Sequence, residues 1–168
     1  HVEPWRVTVV DTGEGTFTGS RIKRVQRYVG DETFCMTYGD GVCDVDIRKV
    51  IEFHQQHGKI ATLTSVLQKQ SKGVLNIDGN FAVKSFREKS QMDSAPINAG
   101  YMVLEPAIFD YLSEDGCIFE QEPLRRLAEA GELMSYQHQG FWQCMDTLFE
   151  KTELEQLWKS GRAPWKVW

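Results

Sequence analysis

Residues 34–46, running Phe34-Cys-Met-Thr-Tyr-Gly-Asp-Gly-Val-Cys-Asp-Val-Asp46, restrict the possible folds more than any other stretch. An apolar run stops at Tyr38-Gly-Asp-Gly41, and a helical pattern follows. A buried strand that ends this way sets the Asp40 carboxylate at the carboxyl edge of a sheet, which is where open α/β sheets bind ligands. The flanking glycines permit a sharp turn and a close approach of ligand to backbone. A carboxylate there can hold Mg²⁺, which in turn holds phosphate oxygens. Gly-Asp-Gly is equally an ordinary turn string in which the aspartate only caps the turn.

The rest of the chain reads as alternating strands and helices. Val7–Val10 predicts a strand closed by the turn Asp11–Gly13. Ser20 predicts the cap of a helix reaching Val29, with Gly30 as its stop and Arg21 near its start. A strand over Thr33–Tyr38 precedes a helix capped by Asp44 or Asp46 that runs through His57 to Gly58. Ile60–Val66 is a β-branched run suited to a buried strand, and the short connections imply a right-handed βαβ crossover. Residues 74–77 and 81–86 flank Asp78-Gly-Asn80 as a hairpin. Ile97–Leu104 is a further strand carrying Gly100, which suggests a bulge or a ligand close to the backbone. Helices are expected over Ala107–Leu112, Phe119–Ala130 and Thr147–Trp158, and strands over Leu133–Tyr136 and Phe141–Met145. The sum is a mixed α/β domain with a mostly parallel core and a β-hairpin insertion.

Composition narrows the function classes. The chain has 168 residues, 41% hydrophobic and 26% charged, which suits one domain with a real core. A net charge of −5 gives no broad basic surface for nucleic acid. No apolar run is long enough to span a membrane, and no signal-peptide pattern opens the chain. Cys35, Cys43, Cys117 and Cys144 show no C-x-x-C spacing and read as reduced structural thiols of a cytoplasmic protein. His54 and His57 have a metal-compatible spacing, but without a third nearby ligand they read as packing and solvated residues. The tail Trp165, Val167 and Trp168 is suited to covering apolar surface, in this chain or in a neighbouring copy of a homo-oligomer. The opening His1-Val-Glu-Pro-Trp5, without an initiator Met and already strand-like by Val7, suggests a piece of a longer protein.

Three features can converge on one site: Gly39-Asp40, Glu88-Lys89 with Asn98 and Gly100, and Asp146. Asp40 and Asp146 each follow an apolar strand-like run and precede a helix. If those strands lie side by side, the two carboxylates meet and suit Mg²⁺. Lys89 can neutralise a substrate phosphate as a point charge, while Glu88 and Asn98 can hydrogen-bond sugar hydroxyls. Asp44-Val-Asp46 is a D-x-D string, the metal signature of many nucleotide-sugar glycosyltransferases, though helix capping accounts for both aspartates.

Val2-Glu-Pro-Trp5, Val7-Thr-Val-Val-Asp-Thr-Gly13, Thr18-Gly-Ser-Arg-Ile-Lys-Arg24 and Thr37-Tyr-Gly-Asp-Gly41 occur in this order. Ile97-Asn-Ala-Gly100, Phe119-Glu-Gln-Glu-Pro-Leu124, Gly140-Phe-Trp-Gln-Cys-Met-Asp146 and Ala163-Pro-Trp-Lys166 follow them. The series resembles the glucose-1-phosphate cytidylyltransferase family from end to end of the chain. The resemblance implies a doubly wound α/β sheet of the nucleotide-diphospho-sugar transferase type. It also implies synthesis of CDP-glucose and pyrophosphate from CTP and glucose 1-phosphate, for 3,6-dideoxyhexoses of bacterial surface polysaccharide such as lipopolysaccharide O-antigen. By resemblance, Asp40 and Asp146 are Mg²⁺ aspartates and Lys89 is the sugar-phosphate lysine. Gly39 lies against the nucleotide sugar; Glu88, Asn98 and Gly100 form the sugar pocket; Arg21 contacts ligand. The family's glycine-rich nucleotide loop and lysine-proline segment have no match here, so residues 1–168 are expected to be the carboxyl-terminal part of the domain and to lack activity alone. Ser90 and Cys144 stand where the family has proline, and the residues around Lys72-Gly73 lack its Arg-Phe-Gly string. A non-catalytic sugar-nucleotide-binding or assembly module is the remaining alternative.

Overall fold

The computed structural model describes residues 4–67, 74–87 and 95–167. In chain order the elements are α1 (Thr18–Arg24), α2 (Gln26–Val29), β1 (Phe34–Thr37), β2 (Gly41–Cys43), α3 (Ile47–His57) and β3 (Ala61–Leu67). There follow β4 (Val74–Ile77), β5 (Val83–Arg87), β6 (Pro96–Leu104), a 3₁₀ helix (Pro106–Tyr111), α4 (Glu122–Glu129), β7 (Leu133–His138), β8 (Trp142–Cys144) and α5 (Leu148–Lys159). One sheet has the order β1-β6-β3-β7, and β2-β8 and β4-β5 form separate two-stranded ribbons. The β4-β5 ribbon is the expected hairpin, antiparallel with Val74 opposite Arg87.

Several elements depart from expectation for local physical reasons. Val7–Val10 forms no strand; among the described residues it pairs with nothing in a sheet, and Val7 and Val9 are 75% and 92% exposed. A β-prone run without a hydrogen-bonded neighbour has no reason to stay extended. The helix expected from Ser20 to Val29 divides at Val25 into α1 and α2. Ser20 is buried inside α1 rather than at its cap, because its hydroxyl accepts the Cys117 amide at 3.1 Å. The helix expected over Phe119–Ala130 begins only at Glu122, where Pro123 fills a first-turn position that needs no N–H donor. The α-helix expected over Ala107–Leu112 is a 3₁₀ helix, Pro106–Tyr111.

The chain forms two compact units. The first takes in the described residues of His1–Met36, Val50–Thr62 and Met102–Met134. It has a dense apolar core: Leu104, Ile108, Phe109, Phe119 and Leu127 are at most 1% exposed. Each contributes about 1.5–3 kcal/mol through burial. Phe34 stacks on Phe109 with centroids 5.7 Å apart. His54 is buried between Thr62 Oγ1 at 2.8 Å and Glu105 Oε1 at 2.9 Å, and His57 Nε2 meets the same threonine at 2.7 Å. The two histidines therefore serve packing, as the sequence suggests.

The second unit takes in the described residues of Thr37–Lys49, Leu63–Tyr101 and Ser135–Trp168. Its buried residues are small or polar, among them Thr64, Ser65, Ala99 and Ala163, with Val66 and Leu154 as larger members. Polar ties hold it instead. Tyr101 Oη donates to the Gly41 carbonyl at 2.8 Å, Trp142 Nε1 to the Ala99 carbonyl at 2.9 Å, and the Tyr38 amide to the Gly100 carbonyl at 3.0 Å. Trp165 of the tail stacks on Phe141 at 5.3 Å, covering apolar surface of this chain. A unit built this way suits a site that needs fixed polar groups rather than a greasy interior.

Candidate functional site

The β2-β8 ribbon organises the site. Its strands run antiparallel with Gly41 opposite Cys144 and Cys43 opposite Trp142. The ladder continues one residue further, with the Met145 amide donating to the Asp40 carbonyl at 2.8 Å. Asp40 and Asp146 therefore leave the same end of the ribbon, and both are exposed. Two carboxylates so placed offer hard oxygen donors with room for water and phosphate oxygens, a donor set that fits Mg²⁺.

Beyond β8 the backbone is pinned by Glu150. Thr147 caps α5 in a capping box: its Oγ accepts the Glu150 amide at 3.2 Å, and Glu150 Oε2 accepts the Thr147 amide at 2.8 Å. The same oxygen accepts the Asp146 amide at 3.0 Å and the Thr147 hydroxyl at 2.9 Å. Cys144 Sγ donates to Glu150 Oε1 at 3.6 Å. Burial, then the neighbouring Asp146 and Glu150 carboxylates, push the Cys144 thiol up to about 11, so it stays protonated at neutral pH. Ligand atoms of Cys144, Asp146 and Glu150 lie within 4.8 Å of one another.

Asn98, Gly100 and Gly39 are the other described site candidates of this unit. Asn98 Oδ1 accepts the Gly100 amide at 2.9 Å, which orients the side-chain amide. Gly100 has φ 80°, and a Cβ there would come within 2.9 Å of Tyr38 Cδ2. The missing Cβ gives room to the Tyr38 ring. Gly39 faces open space, and a methyl group added there would meet nothing within 4 Å. Arg21 belongs to the first unit and is turned onto its own loop, donating to the Thr16 carbonyl at 2.8 Å and to Thr12 Oγ1 at 2.6 Å. Glu88, Lys89 and Ser90 lie outside the described residues.

The Asp44-Val-Asp46 string separates into two roles, and only one is capping. Asp46 Oδ1 accepts the Arg48 amide at the start of α3, at 3.1 Å. Asp44 Oδ1 instead accepts the Phe141 amide at 2.7 Å and meets His138 Nε2 at 2.9 Å. Gly140 makes room for this latch, since a Cβ there would strike Asp44 Oδ1 and lie 2.6 Å from His138 Cε1.

Sequence reasoning missed Tyr38, Trp142, His138 and Glu150. Only Glu150 had a local signal, the spacing Thr147-x-x-Glu150 of a capping box. An open cavity of about 1030 Å³ also lies in this unit, lined by Ser65, Leu67, Pro96, Gln137, Trp142 and Glu150. Asp40, Asp146, Asn98 and Gly100 are not among its lining residues, whereas Cys144, Thr147 and Glu150 are.

Comparison with known proteins gives the family and the fold. The family model described as "Nucleotidyl transferase" matches residues 7–148. The glucose-1-phosphate cytidylyltransferase of Salmonella typhi is 53% identical over 168 residues, covering 99% of this chain. The chain spans 65% of the length of the curated cytidylyltransferases it matches. Among solved structures, HddC from Yersinia pseudotuberculosis superposes with a TM-score of 0.62 at 22% identity, covering 83% of this chain and 61% of that one. A UDP-glucose pyrophosphorylase complexed with UDP-glucose gives 0.64 at 19% identity, covering 91% of this chain and 66% of that one. Likeness at these identities is a likeness of fold.

Proposed function

The chain belongs to the nucleotidyl transferase family and has the nucleotide-diphospho-sugar transferase fold; on that premise we propose that it supplies the metal-binding and sugar-phosphate-binding part of a glucose-1-phosphate cytidylyltransferase. The reaction joins CTP and α-D-glucose 1-phosphate into CDP-glucose and pyrophosphate. The register of β2 on β8, which brings Asp40 and Asp146 to one ribbon end, is the observation that carries this reading. The 53% identity to the Salmonella typhi cytidylyltransferase supports the choice of nucleotide and sugar.

A phosphate oxygen of glucose 1-phosphate attacks the α-phosphorus of CTP in line. The new P–O bond forms as the bond from that phosphorus to the bridging oxygen of pyrophosphate breaks. No covalent enzyme intermediate is needed, so catalysis is alignment and charge neutralisation. Asp40 and Asp146 would hold Mg²⁺, which when bound neutralises phosphate charge. Lys89 places a positive charge on the sugar phosphate. Glu88, Asn98 and Gly100 receive the sugar, and Gly39 leaves room beside it. The free cysteines suit a cytoplasmic enzyme. Leu148, Phe149 and Val167, 78%, 70% and 80% exposed, suit contacts with a second copy in a homo-oligomer.

Two measurements test the reading. Asp146→Asn in the full-length protein should cut pyrophosphate release by roughly a hundredfold or more, as expected for a lost metal ligand; unchanged turnover would remove the metal assignment. Glucose 1-phosphate titrated by calorimetry should bind saturably, and Lys89→Ala should abolish that binding. A glycosyltransferase reading through Asp44 and Asp46 is not favoured, because the latch to Phe141 and His138 occupies Asp44.

A further inference from the structure

Resting on the metal reading above, we propose that Glu150 is a positioning residue for the reaction, holding the Asp146 backbone so that its carboxylate emerges at the ribbon end that also carries Asp40. A capping-box glutamate ordinarily accepts the amide of the cap residue alone. Here Glu150 Oε2 also accepts the Asp146 amide at 3.0 Å, one residue upstream of the Thr147 cap. Cys144 Sγ reaches the other carboxylate oxygen at 3.6 Å, and the Met145 amide is taken by the Asp40 carbonyl at 2.8 Å. Every residue from Cys144 to Thr147 thus donates a hydrogen bond to a defined acceptor, and three of these four residues donate to the one carboxylate.

The consequence is geometric. The end of β8 passes into α5 through a turn whose amides are tied on both sides of Asp146. The Asp146 side chain is thereby the outward-facing group of an anchored segment. Glu150 Oε2 receives three donors and Oε1 the Cys144 thiol, so both oxygens are engaged in holding the turn. The carboxylate also sits in the first turn of α5, where the helix dipole favours negative charge. Groups that orient a metal ligand typically change metal affinity by about 10–100-fold when removed.

The test is Mn²⁺ binding to the full-length protein with CDP-glucose present, followed by the electron paramagnetic resonance of free Mn²⁺, with thermal unfolding of each variant alongside. Glu150→Ala should weaken Mn²⁺ binding by about tenfold or more. Glu150→Gln, which keeps an acceptor oxygen at the end of an equal arm, should restore it to within about threefold. Thr147→Ala destroys the cap but leaves the Asp146 amide on Glu150; it should lower the melting temperature and leave Mn²⁺ affinity within about threefold. Should Glu150→Ala fail to fold, Glu150→Asp, which keeps the charge on a shorter arm, carries the same expectation of weakening. Near-parental binding by Glu150→Ala, or equal weakening by Thr147→Ala, overturns the inference while binding lost in Asp146→Asn leaves the metal reading standing. A parent that binds no Mn²⁺, or an Asp146→Asn variant that binds as the parent does, overturns the metal reading and this inference with it.

Discussion

Replacing Asp44 by Ala removes one carboxylate oxygen that two donors share, the Phe141 amide at 2.7 Å and the His138 ring at 2.9 Å. Hydrogen bonds to a charged group contribute about 1.5–3 kcal/mol each. Asp44 is 29% exposed and His138 11%, so the amide bond keeps most of its value and water screens part of the ring contact. The expected loss is about 2–4 kcal/mol, equivalent to a fall in melting temperature of roughly 4–16 °C for a chain of this size. Asp46→Ala, by contrast, removes an exposed cap bond of 3.1 Å and should cost about 1 kcal/mol. Urea unfolding followed by far-ultraviolet circular dichroism separates the two. Gly140→Ala probes the same latch from the other side, because the added methyl group would strike Asp44 and the His138 ring. It should destabilise by an amount close to that of Asp44→Ala, and the double variant should lose less than the sum. If Asp44→Ala and Asp46→Ala cost the same small amount, the latch does not hold the loop, and the D-x-D string is again available for metal.

Gly100→Ala places a side chain at φ 80° and 2.9 Å from the Tyr38 ring; left-handed strain alone costs about 1–2 kcal/mol, and the urea midpoint should fall by more than that strain accounts for. Acid should destabilise the first unit in two steps. Burial, then His54 and Lys59, hold His57 below the ordinary imidazole range. Burial pushes the Glu105 carboxyl up, but hydrogen bonds from Thr33 and His54 outweigh it and hold the group below the ordinary carboxylate range. Both folded values are depressed, so the stability they give is complete above the unfolded values of about 6.5 and 4.3 and is lost as pH falls through the folded ones. Urea midpoints measured against pH should fall below about 6.5 and again below about 4.3, and a flat profile through the upper step in the parent would contradict the assignment of His57. Alkylation of Cys144 by iodoacetamide, read by mass spectrometry, should stay slow until the pH nears the thiol value of about 11; ready labelling at neutral pH would mean that the thiol is not held among carboxylates.

The sequence by itself determined the local elements and the residue types of the candidate site. Thr33–Tyr38, the helix through His57, the hairpin around Asp78–Asn80 and the helix after Asp146 are all legible, because each is set by short-range periodicity and by caps or stops. Asp40 and Asp146 stood out for the same reason: each ends an apolar run. What decided the rest is pairing between residues distant in sequence, which no local pattern encodes. Val7–Val10 has strand composition and no partner strand among the described residues, so it remains without sheet structure. Asp44 looks like a helix cap and is captured instead by His138 at the end of β7 and Phe141 in the turn after it. The missing Cβ of Gly100 gives room to the Tyr38 ring, a contact that no local pattern encodes. The placing of Asp40 and Asp146 at one end of the β2-β8 ribbon belongs to this second class as well. It is the antiparallel pairing of Gly41 with Cys144, carried on by the Met145 amide on the Asp40 carbonyl, that puts two exposed aspartates distant in sequence at one end of a ribbon, and Glu150 that anchors the turn after it; such ladder pairing is set by the packed tertiary structure and not by any local pattern.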